Sequence, residues 1–158
     1  MQPKKKPSIG IILLIIFLAW SIYNLVGRIF LFQHSTDVAI LNQYSLDWAG
    51  YIIIFAILIL SIASLPVVIT KKKYGVAMLY ALFALNVFFT VAIAGLSLLD
   101  FENTKEIYAI SREERNMSAE NINSIMSPGV VLGMTSAYVI FYSLLAFYIH
   151  KKKDYFIK

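Results

Sequence analysis

Apolar positions in this chain do not alternate with polar ones; they run on. Four nearly unbroken apolar blocks cover residues 9–32, 48–70, 74–99 and 129–149. Each meets the roughly 20 residues that a helix needs to cross the hydrocarbon core of a bilayer. None shows the two-residue alternation of a barrel strand. Without water to satisfy backbone N–H and C=O groups, such a segment can cross only as a helix. The pattern therefore predicts an all-α integral membrane protein, an antiparallel four-helix transmembrane bundle forming one domain over 1–158. Residues 33–47 and 100–128 form its two longer loops, whereas spans 2 and 3 are joined by little more than Lys71, Lys72 and Lys73.

Charge then orients the bundle. Four spans place the N-terminus, the 71–73 turn and the C-terminus on one side. That side collects Lys4–Lys6, Lys71–Lys73, Lys151–Lys153 and Lys158 against the single acid Asp154. The other side holds Arg28, Lys105, Arg112 and Arg115 against eight acids from Asp37 to Glu120. By the positive-inside rule the lysine side is cytoplasmic, and both termini with it. Trp48 and Tyr51 on one side, and Tyr74, Tyr148 and Tyr155 on the other, fit interfacial belts. The first block runs more than ten residues past the small pair Ala19 and Ser21, so it reads as a retained span and not a cleaved leader.

Composition removes the alternatives. The 158 residues are 59% hydrophobic and 15% charged, with a mean hydropathy of +0.73; soluble domains carry about 25% charged residues. Neither a soluble globule nor a disordered chain has this balance. There is no cysteine, hence no disulfide framework and no thiolate chemistry. The lysine triplets are orientation signals that also attract anionic headgroups; nothing in them asks for nucleic acid. The lysine-rich, cysteine-free composition favours a bacterial cytoplasmic membrane.

The informative residues are the polar ones inside the spans. Ser21 and Asn24 on span 1, Asn86 and Thr90 on span 3, and Thr135, Ser136 and Tyr138 on span 4 fall at related depths, counting about 1.5 Å per helical residue. They predict a polar layer across the bundle, serving either as interhelical hydrogen bonding or as the lining of a small-molecule or ion path. Trp20, one turn before Asn24, needs an acceptor for its indole N–H, with Asn24 or Asn86 as candidates. Arg28, near the loop-side end of span 1, is expected to pair with Asp47 or Asp100. Gly129, Gly133 and Ala137 follow the small-residue spacing that lets helices approach, within the bundle or between chains. Pro66 interrupts the backbone ladder of span 2, with Ser61 and Ser64 at hand for the freed groups. In the second long loop, Ser111 with Glu114 and then Ser118 resemble helix caps, and Pro128 sets the start of span 4.

Enzymatic signatures are lacking. The two histidines, His34 and His150, belong to opposite sides, which excludes a shared metal or bis-histidine haem. No metal-ligand cluster, phosphate loop or catalytic triad appears, and no cofactor is implied. The expectation is a non-enzymatic membrane protein whose partners are the lipid bilayer and another membrane protein or itself. It would act as an accessory, interaction or modulatory subunit; the alternative is a self-associating small transporter or channel lined by Ser21, Asn24, Asn86 and Thr90.

Overall fold

The computed structural model describes residues 7–30, 36–113 and 126–156. Every regular element among them is helical: α1 (Ile9–Phe30), α2 (Thr36–Asn42), α3 (Asp47–Thr70), α4 (Gly75–Leu99), α5 (Phe101–Glu113) and α6 (Pro128–Lys151), followed by a short 3-10 turn, Lys153–Tyr155. Helices α1, α3, α4 and α6 are long and apolar enough to cross a membrane.

Local chemistry explains the helix ends. Helix α3 stops where Lys71 turns left-handed (φ 60°, ψ 34°) and its N–H reaches the carbonyls of Val67 and Val68, a C-terminal cap. Gly75 then lets the hairpin close, because a Cβ there would lie 2.7 Å from Val67 Cγ1 and 3.2 Å from the Phe156 ring. Ser127 caps α6, its hydroxyl accepting the Val130 N–H at 3.3 Å, with Pro128 in the first turn, where a missing N–H costs nothing. Pro66 sits inside α3 and Thr70 donates to its carbonyl at 2.8 Å. Ser61 and Ser64, expected to help there, are instead fully buried with no hydrogen-bond partner among the described residues.

Both longer loops hold structure that apolar runs do not reveal. Residues 33–47 include α2, which buries Val38, Ile40 and Leu41. Asp100 breaks α4 (φ −134°, ψ 76°) and α5 begins at once. Ser111 is no cap: it lies buried within α5 and shares a 2.9 Å hydrogen bond with Thr36 at the start of α2. Glu114 and Ser118 lie outside the described residues.

Helix α1 packs on α3, α3 on α4, and α4 on α6. Near the lysine-bearing end α6 also returns to α1. Ser8 and Tyr148 share a 2.9 Å hydrogen bond, and the Phe17 ring meets Phe141 at 5.5 Å and Tyr142 at 6.4 Å. The core is densest toward this end, where Ile11, Leu14, Leu18, Val68, Leu79, Leu82, Phe83, Ile149 and Phe156 are each at most 3% exposed. The chain's end folds under it: Phe156 is buried, and the Lys71 ammonium sits 4.8 Å above the Tyr155 ring.

Candidate ligand-binding cavity

One inward stripe of α4 sets the site. Leu79, Leu82 and Phe83 are buried on it, followed at helical spacing by Asn86, Phe89, Thr90, Ile93 and Ser97. Through Phe83 the stripe packs solidly; beyond it the bundle opens into a cavity of about 500 Å³ that Asn86, Phe89, Thr90 and Ile93 line. Leu25 and Arg28 of α1, Ile54 and Ile57 of α3, and Val131, Met134, Thr135 and Tyr138 of α6 form its other walls. The Phe17–Phe141–Tyr142 ring cluster joins α1 to α6 at the closed side, and farther along, the cavity lies between these two helices.

The cavity has two polar ends. At its floor the Tyr142 hydroxyl donates to Asn86 Oδ1 at 3.2 Å, and Asn86 Nδ2 donates to the Leu82 carbonyl at 2.8 Å. Thr135 donates to the Val131 carbonyl at 2.8 Å, one helical turn back, and so keeps its oxygen lone pairs for another donor. At the opposite end, beneath α2 and α5, stand Arg28, Asp37, Tyr108 and Arg112. Arg28 and Asp37 form an ion pair. The Nε of Arg112 is buried and has no hydrogen-bond partner among the described residues. Burial, and then the Asp37 carboxylate, push the Tyr108 phenol above its usual range, with Arg28 pulling the other way. The Ser111–Thr36 bond ties α5 to α2 above this end, and the Tyr44 hydroxyl, donating to the Leu96 carbonyl at 3.1 Å, ties the turn after α2 to α4.

Of the polar layer expected from the sequence, Asn86, Thr90, Thr135 and Tyr138 line this one space; Ser21, Asn24 and Ser136 do not. Asn24 is exposed, and its amide donates to the backbone carbonyl of Trp20 at 2.9 Å; the Trp20 ring, 64% exposed, meets neither Asn24 nor Asn86 through a hydrogen bond. Arg28 reaches Asp37 in place of Asp47 or Asp100, because the unexpected α2 brings its first-turn carboxylate to the end of α1. Asp100 instead accepts the Asn103 N–H at 3.4 Å, and Asp47 occupies the first turn of α3. Gly129, Gly133 and Ala137 are all exposed, and a Cβ on Gly133 would meet nothing within 4 Å. They bring α6 against no other helix among the described residues. The close approaches are made elsewhere, at Gly10 against Tyr148, at Gly50 against Leu41 and at Gly75 against Val67.

Sequence reasoning missed Tyr142, Asp37, Tyr108 and Arg112. Tyr142 was legible, for it follows Thr135 by seven and Tyr138 by four and so shares their face. The other three depend on α2 and α5 folding over the end of the bundle. Among the described residues no group of three His, Cys, Asp or Glu side chains comes together to hold a metal. The chain matches no family model, and no curated protein or solved structure matches it significantly. Chemically, the cavity offers amide, hydroxyl, phenol and guanidinium groups around an apolar middle, an arrangement suited to holding a molecule by shape, hydrogen bonds and charge.

Proposed function

We propose that this protein is a non-catalytic, multi-pass protein of the cell membrane that binds one small amphipathic molecule in the cavity and acts as an accessory or modulatory component. The observation that carries this reading is a space of about 500 Å³, polar at both ends and apolar between, lined by residues of all four long helices. Ligand sites commonly fall between roughly 300 and 1,000 Å³, with mostly apolar walls and a few placed polar groups. Binding is favoured over chemistry by the lining: its one carboxylate among the described residues, Asp37, is already held by Arg28. The lysine triplets support a cytoplasmic placement of the closed end, so the cavity faces the outer half of the bilayer.

The test uses the full chain in nanodiscs of zwitterionic lipid, incubated with sub-micellar decyl phosphate or decyl glucoside and read by native mass spectrometry. A saturable adduct of one amphiphile per chain is expected for at least one probe, lost in Ala94→Trp, which fills the cavity from α4. Absence of any saturable adduct, or adducts indifferent to Ala94→Trp, would end this reading.

A second reading, docking to another membrane protein through α6, has its own support. The apolar stretch of α6 buries none of its residues, against 39% for α3, and Gly133, Ser136 and Ala137 stand exposed along it. Gentle extraction followed by intact-complex mass measurement should then find a stoichiometric foreign subunit that Gly133→Leu displaces. A bare monomer would remove this reading.

A further inference from the structure

We propose that the cavity's ligand is an anionic, single-chain amphiphile whose phosphate or carboxylate head is held by Arg112, a proposal that rests on the cavity being a ligand site. The charges lining the space are Arg28, Asp37 and Arg112. The first two neutralise each other in an ion pair, so among the described lining residues the single positive charge of Arg112 is left. The Nε of that guanidinium is also buried and has no hydrogen-bond partner among the described residues. A buried donor without an acceptor is unfavourable, and an oxyanion removes the deficit most completely, because guanidinium and carboxylate or phosphate match as bidentate partners.

Position adds to charge. Tyr108 lies one helical turn before Arg112 on α5, on the same face, and both line the cavity. A phenol kept in its neutral form is a hydrogen-bond donor, which suits the same head. Below them the walls turn apolar through Ile93, Ala94 and Phe89 before Asn86 is reached. A head at Arg112 therefore sends its chain down this throat toward the middle of the bundle. Glu113, the neighbouring acid, is exposed and does not line the space.

The nanodisc titration with decyl phosphate and decyl glucoside separates this proposal from the reading beneath it. Wild type is expected to bind decyl phosphate about tenfold or more tightly than the neutral glucoside, the scale of one charge-assisted contact. Arg112→Gln should bring the two within about threefold, and Arg112→Lys, which keeps the charge without the fork, should retain part of the preference. Equal binding of both probes by wild type, or a preference that survives Arg112→Gln, would overturn the anionic head while leaving the cavity a ligand site. Binding of neither probe would instead defeat the cavity reading itself. Inorganic phosphate alone raising the melting temperature as much as decyl phosphate does would overturn the requirement for a chain. Should Arg112→Gln fail to fold, Arg112→Lys and Tyr108→Phe carry the comparison, each expected to weaken the phosphate and leave the glucoside unchanged.

Discussion

The half of the bundle that ends in Lys71–Lys73 and the half capped by α2 and α5 share the same four long helices, yet one is solid and the other hollow. In the solid half large apolar side chains interlock, and side chains of neighbouring elements press onto Gly10 and Gly75. In the hollow half Asn86, Thr90 and Thr135 join apolar residues such as Ile54, Ile57 and Phe89 at the inward positions, with closure left to two short helices, the Arg28–Asp37 pair and the Thr36–Ser111 bond. In lipid, helices gain little from the hydrophobic effect on meeting one another, so packing quality and polar contacts decide where they hold. Under the proposed function the contrast reads as a division of labour, with a well-packed base fixing the helices and an opened end to receive a ligand.

The sharpest way to break this contrast uses two phenylalanines on one stripe of α4. Phe83 is 3% exposed within the solid half; Phe89 is 7% exposed and borders the cavity. By burial alone they should cost the same to truncate. If the halves differ as argued, Phe83→Ala opens a new void and costs about 3 kcal/mol, the low end for such truncations, because lipid lessens the transfer term. Phe89→Ala only enlarges a space already present and should cost about 1 kcal/mol. Unfolding in mixed micelles by a denaturing detergent measures both; equal losses would erase the distinction.

A smaller effect is expected at the boundary between the halves. Asn86→Leu and Tyr142→Phe each remove the hydrogen bond joining α4 to α6. Each should cost about 0.6 kcal/mol and no more than about 1.7 kcal/mol, the range for such contacts in membrane helices. The double variant should cost less than the sum, since the residues share one bond. Additive losses would mean that the Tyr142–Asn86 contact contributes nothing to holding the cavity floor. Ligand binding in Asn86→Leu sharpens the result further, because an adduct retained at full affinity would place the ligand clear of the floor.

The four long helices were legible in the sequence because unbroken apolar length is itself the physical requirement for crossing a bilayer. Half the cavity was legible too: Asn86, Thr90, Thr135 and Tyr138 are polar where lipid tolerates little polarity, and helical spacing turns them inward. Depth, however, is not facing. Ser21, Asn24 and Ser136 lie at similar depth but away from this space, and the direction of a side chain follows from which neighbours its helix acquires. The end carrying Arg112 was illegible for a different reason. Helices α2 and α5 are short and carry charge, and α5 turns Thr104, Tyr108 and Ser111 toward the protein, so no apolar stripe announces its inner face. Their placement is a tertiary outcome, and with it comes the exchange of Asp47 or Asp100 for Asp37 as the partner of Arg28.

The smallest expected effect tests the burial and the charges around Tyr108 at that capped end. Tyr108 is pushed above the ordinary phenol value near 10, first by burial, then by Asp37, with Arg28 opposing. An acid whose folded pKa exceeds its unfolded one favours the folded state while it is protonated. The contribution of Tyr108 is therefore whole below pH 10 and fades as pH rises through the folded value. Spectrophotometric titration should show a late-ionising tyrosine that Tyr108→Phe removes, and the stability of wild type relative to that variant should decline above pH 10. The neighbouring charges give the sign its independent check. Asp37→Asn removes a nearby negative charge and should bring the ionisation to lower pH; Arg28→Gln removes the opposing positive charge and should delay it. If both variants left the titration unmoved, desolvation alone would govern Tyr108, and the ion pair would lie too far from the roof of the cavity to shape its field.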